Sequence, residues 1–476
     1  MSRMKLDRRT WVVIVLLGLS GQIAWNVENS WFNTFVYDEI TPDPRPIAAM
    51  VAVSAIVATV TTLFMGAWSD RVGRRKPFIV VGYLLWGLSV AVYPAAAEAR
   101  AVTLAVTLVI LLDAVMTFFG STANDAAFNA WVTDVTDAHN RGRVDGLLQV
   151  MPVLAVMIGM GASGFLIDAF GYTPFFLSLG GIVLVMGLIG GALLREGRTS
   201  IHPAGSGPDV VGRASREPLG ARGEPPVGRD GVASASSEPL GARQPGPECL
   251  ARSGEGAQTA PSREVYRGTT WLKADADLYL VFAAMAIFNT GVQITGPYEV
   301  IYLNHTLGID KGTVGLITAM VAPVLILFAW PIGALTDRGK GYAVLVVGFL
   351  TAAAGTALFA MAGSIVGLAV MALVKSVGFL MMIVLMAWHR HLLPAAARGA
   401  FQGVRLIFMV LLPMLIGPQV GSLLIRAFGE PSVVDGQAGH LPPALIYLVA
   451  AAVVALAIVP VLALRVRRRG VPPGQG

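Results

Sequence analysis

The sequence predicts an all-α membrane protein, with twelve transmembrane helices arranged as two six-helix pseudo-symmetric bundles. Three observations lead there. The 476 residues are 55% hydrophobic and only 13% charged, with a mean hydropathy of +0.67, a composition outside the range of a water-soluble globular chain. Twelve apolar runs, each about the twenty residues that cross ~30 Å of hydrocarbon, begin near Trp11, Pro46, Pro77, Val102, Gly146, Thr173, Asp277, Gly312, Tyr342, Ser364, Ala400 and Pro443. Pieces of the first half recur, in order, in the second.

Backbone polar groups in lipid are satisfied only by helices or closed barrels, and runs this long lack the alternation of barrel strands. Helix 1 follows Arg8 and Arg9 but continues through Gln22, Asn26, Glu28 and Asn29, where a signal-peptide cleavage site needs small residues. It is therefore expected to be a mature helix. Helices 2 and 3 are separated by "GAWSDRVGRRKP", residues 66–77, with five charges in one short run. Helix 4, "LLDAVMTFFGSTANDAAFNAWVTDVT", places Asp113, Thr117, Ser121 and Asn124 on one face with Asp125 and Asn129 beside it. It is too long to lie wholly in lipid, so either Asp113 or Asp125 is nearest the midplane.

Helix 5 carries "GMGASG" from Gly159 and helix 11 carries "GPQVG" from Gly417, small-residue runs that suit close helix packing. Between helices 6 and 7 periodicity gives way to Gly, Pro, Ser, Ala and Arg, with "EPLGAR" at 217–222 and again at 238–243. This composition predicts a disordered cytoplasmic linker. The expected organisation is a bundle over 1–196, a linker over 197–272 and a second bundle over 273–476. Helix 10 contributes one intramembrane cation, Lys375.

Cationic clusters at Arg3 to Arg9, in the 66–77 run, at Arg141 and Arg143, at Arg338 and Lys340, at Arg390 and Arg398, and at Arg465 to Arg469 are separated by even numbers of helices. Positive residues mark the cytoplasmic side, so both termini are expected there, in a multi-pass protein of the plasma membrane. The net charge of +6 then reports orientation and not nucleic acid. The single cysteine, Cys249, offers no disulfide and no metal site. Enzymatic chemistry would need a nucleophile with its base, metal-ligand spacing or a phosphate loop. Gly339-Lys340 lacks the last, and His389 and His391, on either side of Arg390, are expected to form a solvated positive cluster and not a zinc site. No catalytic residue, metal or cofactor is expected.

An offset of 267 carries Gln22 and Asn26 onto Asn289 and Gln293, and Gly66, Asp70 and Arg71 onto Gly333, Asp337 and Arg338. "RGRVDG" from Arg141 and "RGAFQG" from Arg398 share a pattern at an offset of 257. Three matches in order make a parallel repeat of six helices. The 66–77 run resembles the signature loop G-x-x-x-D-R-x-G-R-R-[KR] of the major facilitator superfamily, with a degenerate copy at Gly333. The resemblance implies secondary transport, with the loop acting as a latch on one conformational state. Gly66 would allow close helix approach, Asp70 would pair with arginine, and Gly73 would permit the turn. Arg71, Arg74, Asp337, Arg338, Arg141 and Arg398 complete the expected gating set.

The same resemblance implies that helices 1, 4, 7 and 10 line a central cavity, bringing Gln22 and Asn26 to face Asn289 and Gln293 across it. Trp25 would stack on substrate or face lipid. Interhelical hydrogen bonding is the structural alternative for the amides. Charges at membrane depth cost about 2.5–3.5 kcal/mol each on insertion scales, so Glu28, Asp113 or Asp125, and Lys375 are expected to couple ions. A permanent ion pair between Lys375 and a helix 4 carboxylate is the alternative.

Within the superfamily, Gln22, Trp25 and Glu28, the "SDRVGRRKPFI" loop, and Thr122, Asp125 and Phe128 are similar to patterns of the glycoside and hexuronide cation symporters and the sucrose-proton symporters. Helix 2 has Thr61 and Thr62 where sodium-type members carry acids, which favours protons; Asn129 replaces an arginine of the sucrose group; and glucose-facilitator signatures are absent. The expectation is a proton-coupled carrier of a small polar, sugar-like solute, working as a monomer. The alternatives are a drug-proton antiporter, although "GMGASG" lacks that group's proline, and, ranked lower, a non-transporting membrane sensor.

Overall fold

The computed structural model describes residues 6–137, 140–196, 276–393, 398–434 and 436–469. The linker expected over 197–272, Cys249 and the side chain of Arg398 lie outside the described residues. The first half contains α1 (Arg8–Glu39), α2 (Pro44–Val72), α3 (Lys76–Glu98), α4 (Val102–Val135), α5 (Arg141–Phe170) and α6 (Tyr172–Leu193). In the second half α7 is Ala276–Thr306, and a continuous 49-residue stretch, Lys311–Phe359, follows it. That stretch breaks at Gly339, whose φ is 76°, giving α8 (311–335) and α9 (Gly341–Phe359). The chain closes with α10 (Ile365–Arg390), α11 (Gly403–Phe428) and α12 (Leu445–Arg468). The twelve spans start within a few residues of the apolar runs.

Local chemistry sets those boundaries. The carboxylates of Asp7 and Asp310 accept from the Thr10 and Thr313 amides at 2.8 and 2.7 Å, and Ser364 accepts from Gly367 at 3.1 Å. Each satisfies an otherwise orphaned N–H of a first turn. Asp43 does the same for α2, whose first residue, Pro44, has no N–H to satisfy. Gly73, at φ 69°, ends α2 as Gly339 ends α8, so both copies of the loop motif turn on a left-handed glycine.

Small residues let the helices approach. A Cβ on Gly87 would sit 2.6 Å from the Gly180 carbonyl oxygen, and one on Gly180 would overlap the Gly87 carbonyl, fixing α3 against α6. The "GMGASG" run has the same purpose across the halves, because Gly164 abuts the Lys311 carbonyl and Gly315 of α8 abuts that of Met160. In "GPQVG", Gly417 leaves space for Gln293 and Gly421 for the Ile294 carbonyl of α7. Both runs are packing seams. Gly66 departs from expectation: a Cβ there would meet nothing within 4 Å, so it brings no neighbour close.

One feature among the described residues is a pair of β-strands. Between α11 and α12 an antiparallel hairpin pairs β1 (Pro431–Val434) with β2 (Gln437–His440), Pro431 opposite His440. It leans on the first half, where the His440 amide donates to the Pro42 carbonyl at 3.3 Å and the Tyr37 hydroxyl donates to the His440 carbonyl at 3.0 Å. Asp435-Gly436 between two valines and a polar run was a readable hairpin signal.

The α3–α6 crossing gives a paired test. Gly180→Ala is expected to lower the thermal midpoint of the detergent-purified protein, at a cost of about 1–3 kcal/mol for overpacking. The adjacent Gly181→Ala faces open space and should leave the midpoint unchanged or raise it. Equal midpoints would remove the seam from the fold's determinants.

Candidate functional site

Because α1 to α12 alternate in direction, the ends near Arg9, Leu193, Asp277 and Arg467 form one face, here termed terminal, and the other ends form the distal face. The terminal ends are tied within each half: Arg9 Nε donates to the Leu193 carbonyl at 2.6 Å, and Asp277 pairs with Arg467 and Arg468 at 3.2 and 3.0 Å.

The halves meet in a polar interlock at the distal face. Asp38, at the end of α1, bonds His305 Nε2 through Oδ1 at 2.6 Å and accepts from Lys311 Nζ at 3.1 Å and the Tyr172 hydroxyl at 2.6 Å through Oδ2. His305 and Lys311 belong to the second half, Tyr172 to the first. Lys311 also lies 5.4 Å from the centre of the Tyr172 ring, a cation–π geometry. Nearby, the Gly312 amide donates to Asp168 of α5 at 2.8 Å, and the Tyr298 hydroxyl bonds the Pro418 carbonyl at 2.9 Å. This face is shut.

Beneath it a cavity of about 450 Å³ lies between the halves, bordered by α1 and α5 on one side and by α7, α8, α9, α10 and α12 on the other. Much of its wall is apolar, with Val153, Val156, Phe288, Val292, Phe379 and Val454. Its charged feature is an ion pair, Lys375 Nζ to the two oxygens of Glu299 at 2.7 and 2.6 Å. The ammonium also lies 4.6 Å from the centre of the Phe359 ring. Lys375 therefore pairs within its own half, not with a helix 4 carboxylate. Glu299 lies just beyond the 3-10 turn Gly296–Tyr298 that interrupts α7.

A second polar cluster is buried inside the first half. The Ser54 hydroxyl of α2 donates to Asp113 Oδ2, and the Thr117 hydroxyl contacts Ser54 Oγ at 3.2 Å and Glu28 Oε1 at 3.3 Å. A hydroxyl chain thus connects the carboxyls of α1 and α4. Asp113 is 2% exposed and Glu28 8%. Asp113 Oδ1 and Glu28 Oε2 are buried with no hydrogen-bond partner, and neither residue has an ion pair among the described residues. Glu28 opens a π-helical turn, Glu28–Phe32, and a second, Ser121–Phe128, carries Asp125; such bulges re-aim side chains inside helices.

The other sequence candidates are dispersed. Of Gln22, Trp25, Asn26, Asn289 and Gln293, Asn26 borders the cavity. Its amide also donates to the Gln22 carbonyl at 3.0 Å, as Asn289 donates to the Met285 carbonyl at 3.0 Å. Trp25 packs on Trp86 with ring centres 5.0 Å apart, and Gln293 faces α11. Asp125 is half-buried and accepts from the neighbouring Asn124 amide at 3.0 Å, while the Thr122 hydroxyl bonds the Phe118 carbonyl. Asp113 is the more deeply enclosed helix 4 acid. Ser54 was missed because a serine on an apolar helix carries no pattern until its partner is known.

The signature loop differs in detail. Asp70 pairs with Arg75, which also reaches Asp134 at 3.2 Å and Ser69 Oγ at 2.6 Å, joining α2 to the end of α4. Arg71 and Arg74, expected in that role, are exposed, as are Arg141, Asp337 and Arg338. Arg75 wins because, from the start of α3, its guanidinium spans the ends of both neighbouring helices.

Two six-helix halves enclosing a central cavity closed at one face define a membrane transport protein. The family model for the Major Facilitator Superfamily matches residues 11–254 and 281–476, and the chain belongs to that superfamily. Among solved structures, the nucleoside transporter NupG matches with a TM-score of 0.67 at 11% identity, covering 96% of this chain and 99% of that one. A bacterial homologue of the human lysosomal transporter Spinster, in an inward-facing state, matches at 0.60 and 12% identity, over 97% and 96%. Multidrug resistance protein 2 of Bacillus subtilis (strain 168) is 26% identical over 147 residues, 31% of this chain. The match spans 34% of that relative's length. The protein is a transporter and not an enzyme.

Removing one partner from a buried pair strands a charge at about 3–5 kcal/mol, so Asp38→Asn should loosen the interlock. With Cys249 replaced by Ser and Ser30→Cys placed in the cavity wall, maleimide labelling from the distal side of reconstituted vesicles is expected to accelerate on the order of tenfold or more. An unchanged rate would mean that other contacts hold this face shut.

Proposed function

We propose that the chain is a proton-coupled secondary transporter that moves a small solute by alternating access, with the terminal face cytoplasmic. The observation that carries proton coupling is the Glu28–Thr117–Ser54–Asp113 network: two buried carboxyls, connected by hydroxyls, with no cation paired to them among the described residues. A carboxylate so placed is costly unless protonated or paired, and the hydroxyls provide a path for a proton between α1 and α4. Asp125, bonded to its neighbouring amide, has the weaker support. The halves over 1–196 and 273–476 would rock about the cavity, with the distal interlock stabilising the state closed at that face and the Asp70–Arg75–Asp134 cluster bracing α2, α3 and α4 within the first half. The positive loops support the orientation.

A sugar-like solute has support from Asn26, the one member of the amide pairs on the cavity wall. The apolar side chains opposite favour a solute with an apolar body. That wall, together with the similarity to Multidrug resistance protein 2, supports a second reading, proton-coupled export of drugs or metabolites.

The test is transport in proteoliposomes with an imposed proton gradient, using a panel of radiolabelled sugars and amino acids and fluorescent drugs. Asp113→Asn and Glu28→Gln are expected to abolish gradient-driven accumulation or extrusion while keeping gradient-independent exchange, and Asp125→Asn should do so less. Full gradient-driven activity in Asp113→Asn would remove this network from coupling.

A further inference from the structure

We infer that the central cavity takes a zwitterionic solute with an apolar body, an apolar α-amino acid or a short apolar peptide, bound by exchanging partners with the Glu299–Lys375 pair. The inference rests on the transport reading and assigns its substrate class. Both charged residues border the cavity, and both remain reachable, Glu299 with 23% of its side chain exposed and Lys375 with 16%. Lys375 uses two N–H groups on the Glu299 oxygens and has the Phe359 ring alongside. The carboxylate can accept up to about four hydrogen bonds, so it has capacity left toward the cavity.

Charge balance selects among ligands. The pair is neutral as a unit. A monovalent anion that captured Lys375 would strand Glu299, and a monovalent cation that captured Glu299 would strand Lys375 in low dielectric. A zwitterion presents its carboxylate to Lys375 and its ammonium to Glu299, closing a ring of four alternating charges with no net charge added. The Phe359 ring keeps the ammonium in place when Glu299 is shared. The hydroxyls of Thr356 and Ser376 border the cavity on the same helices, α9 and α10. The rest of the wall, with Val153, Val156, Phe288 and Phe379, suits an aliphatic or aromatic body, Asn26, Ser30, Thr295 and Thr318 being its other polar residues.

The backbone around the pair is tightly set. A Cβ on Gly355 of α9 would lie 2.5 Å from the Lys375 backbone nitrogen, which seats α10 against α9 and fixes the depth of the lysine. The site is thus supported by packing behind it, as a preformed recognition element requires.

The experiment measures ligand-induced thermal stabilisation of the purified full-length protein with L-leucine, L-leucinamide, N-acetyl-L-leucine and glucose. Leucine is expected to raise the midpoint, and the cationic amide, the anionic acetyl derivative and glucose to leave it in place. Glu299→Gln or Lys375→Gln should weaken leucine binding on the order of a hundredfold. The reciprocal Glu299→Lys/Lys375→Glu protein keeps both charges and should bind within about tenfold of wild type, which guards against loss through misfolding. Stabilisation by leucinamide or N-acetyl-leucine alone, or none by leucine, would overturn the assignment. The transport reading is checked separately in vesicles: leucine that binds yet moves under no gradient sinks that reading and leaves the ligand assignment standing, whereas drug extrusion without leucine binding does the reverse.

Discussion

A charge withdrawn from water must be met by an opposite charge, a proton or hydrogen-bond donors, and the buried ionisable groups of this chain meet that requirement differently. Lys375 and Glu299 neutralise one another on the cavity wall. Asp38 is met three times over, by His305, Lys311 and Tyr172, and in being met it joins the two halves. Glu28 and Asp113 have only hydroxyls, and one oxygen of each is unpartnered. A permanently paired charge holds structure together; one whose compensation is incomplete is the natural place for a mobile proton.

The same constraint shapes how the scaffold packs within each half and between them. Inside a half, helices are drawn close by glycines such as Gly87 and Gly180, whose backbones touch with no space for a methyl group. Between halves the distal contacts combine the polar cluster centred on Asp38 with apolar packing, in which Ile167 and Tyr172 share a buried core with Val314 and Ile317, and with a glycine seam where Gly164 and Gly315 bring α5 against α8. Polar contacts of this kind are exchanged for water at modest net cost, whereas an interdigitated core is not.

Much of this was legible beforehand. The twelve spans were, because twenty apolar residues have few other fates, and so was the repeat, because Gly66, Asp70 and Arg71 recur at one offset as Gly333, Asp337 and Arg338. The candidate site was legible only in part. Glu28, Asp113 and Lys375 stood out as charges at membrane depth, but the pairing of Lys375 with Glu299 and the part played by Ser54 did not. Helical periodicity assigns a face and leaves open what that face meets, so Gln22 and Gln293, on the expected stripe, are absent from the cavity wall, and Arg75 displaces its neighbours Arg71 and Arg74 in the loop cluster.

The sequence by itself determined that this chain is a twelve-helix membrane protein built as a doubled six-helix unit, since hydropathy, loop glycines and repeated motifs are properties of one helix or one turn at a time. The tertiary structure alone decided which charge answers which. Lys375 turned to Glu299 and not to helix 4 because α7 packs on α10 within the same half, and Asp113 found Ser54 because α2 packs on α4. Pairing depends on the separation of atoms far apart in the chain, to within an ångström, and at short range in a low-dielectric interior that separation sets the energy.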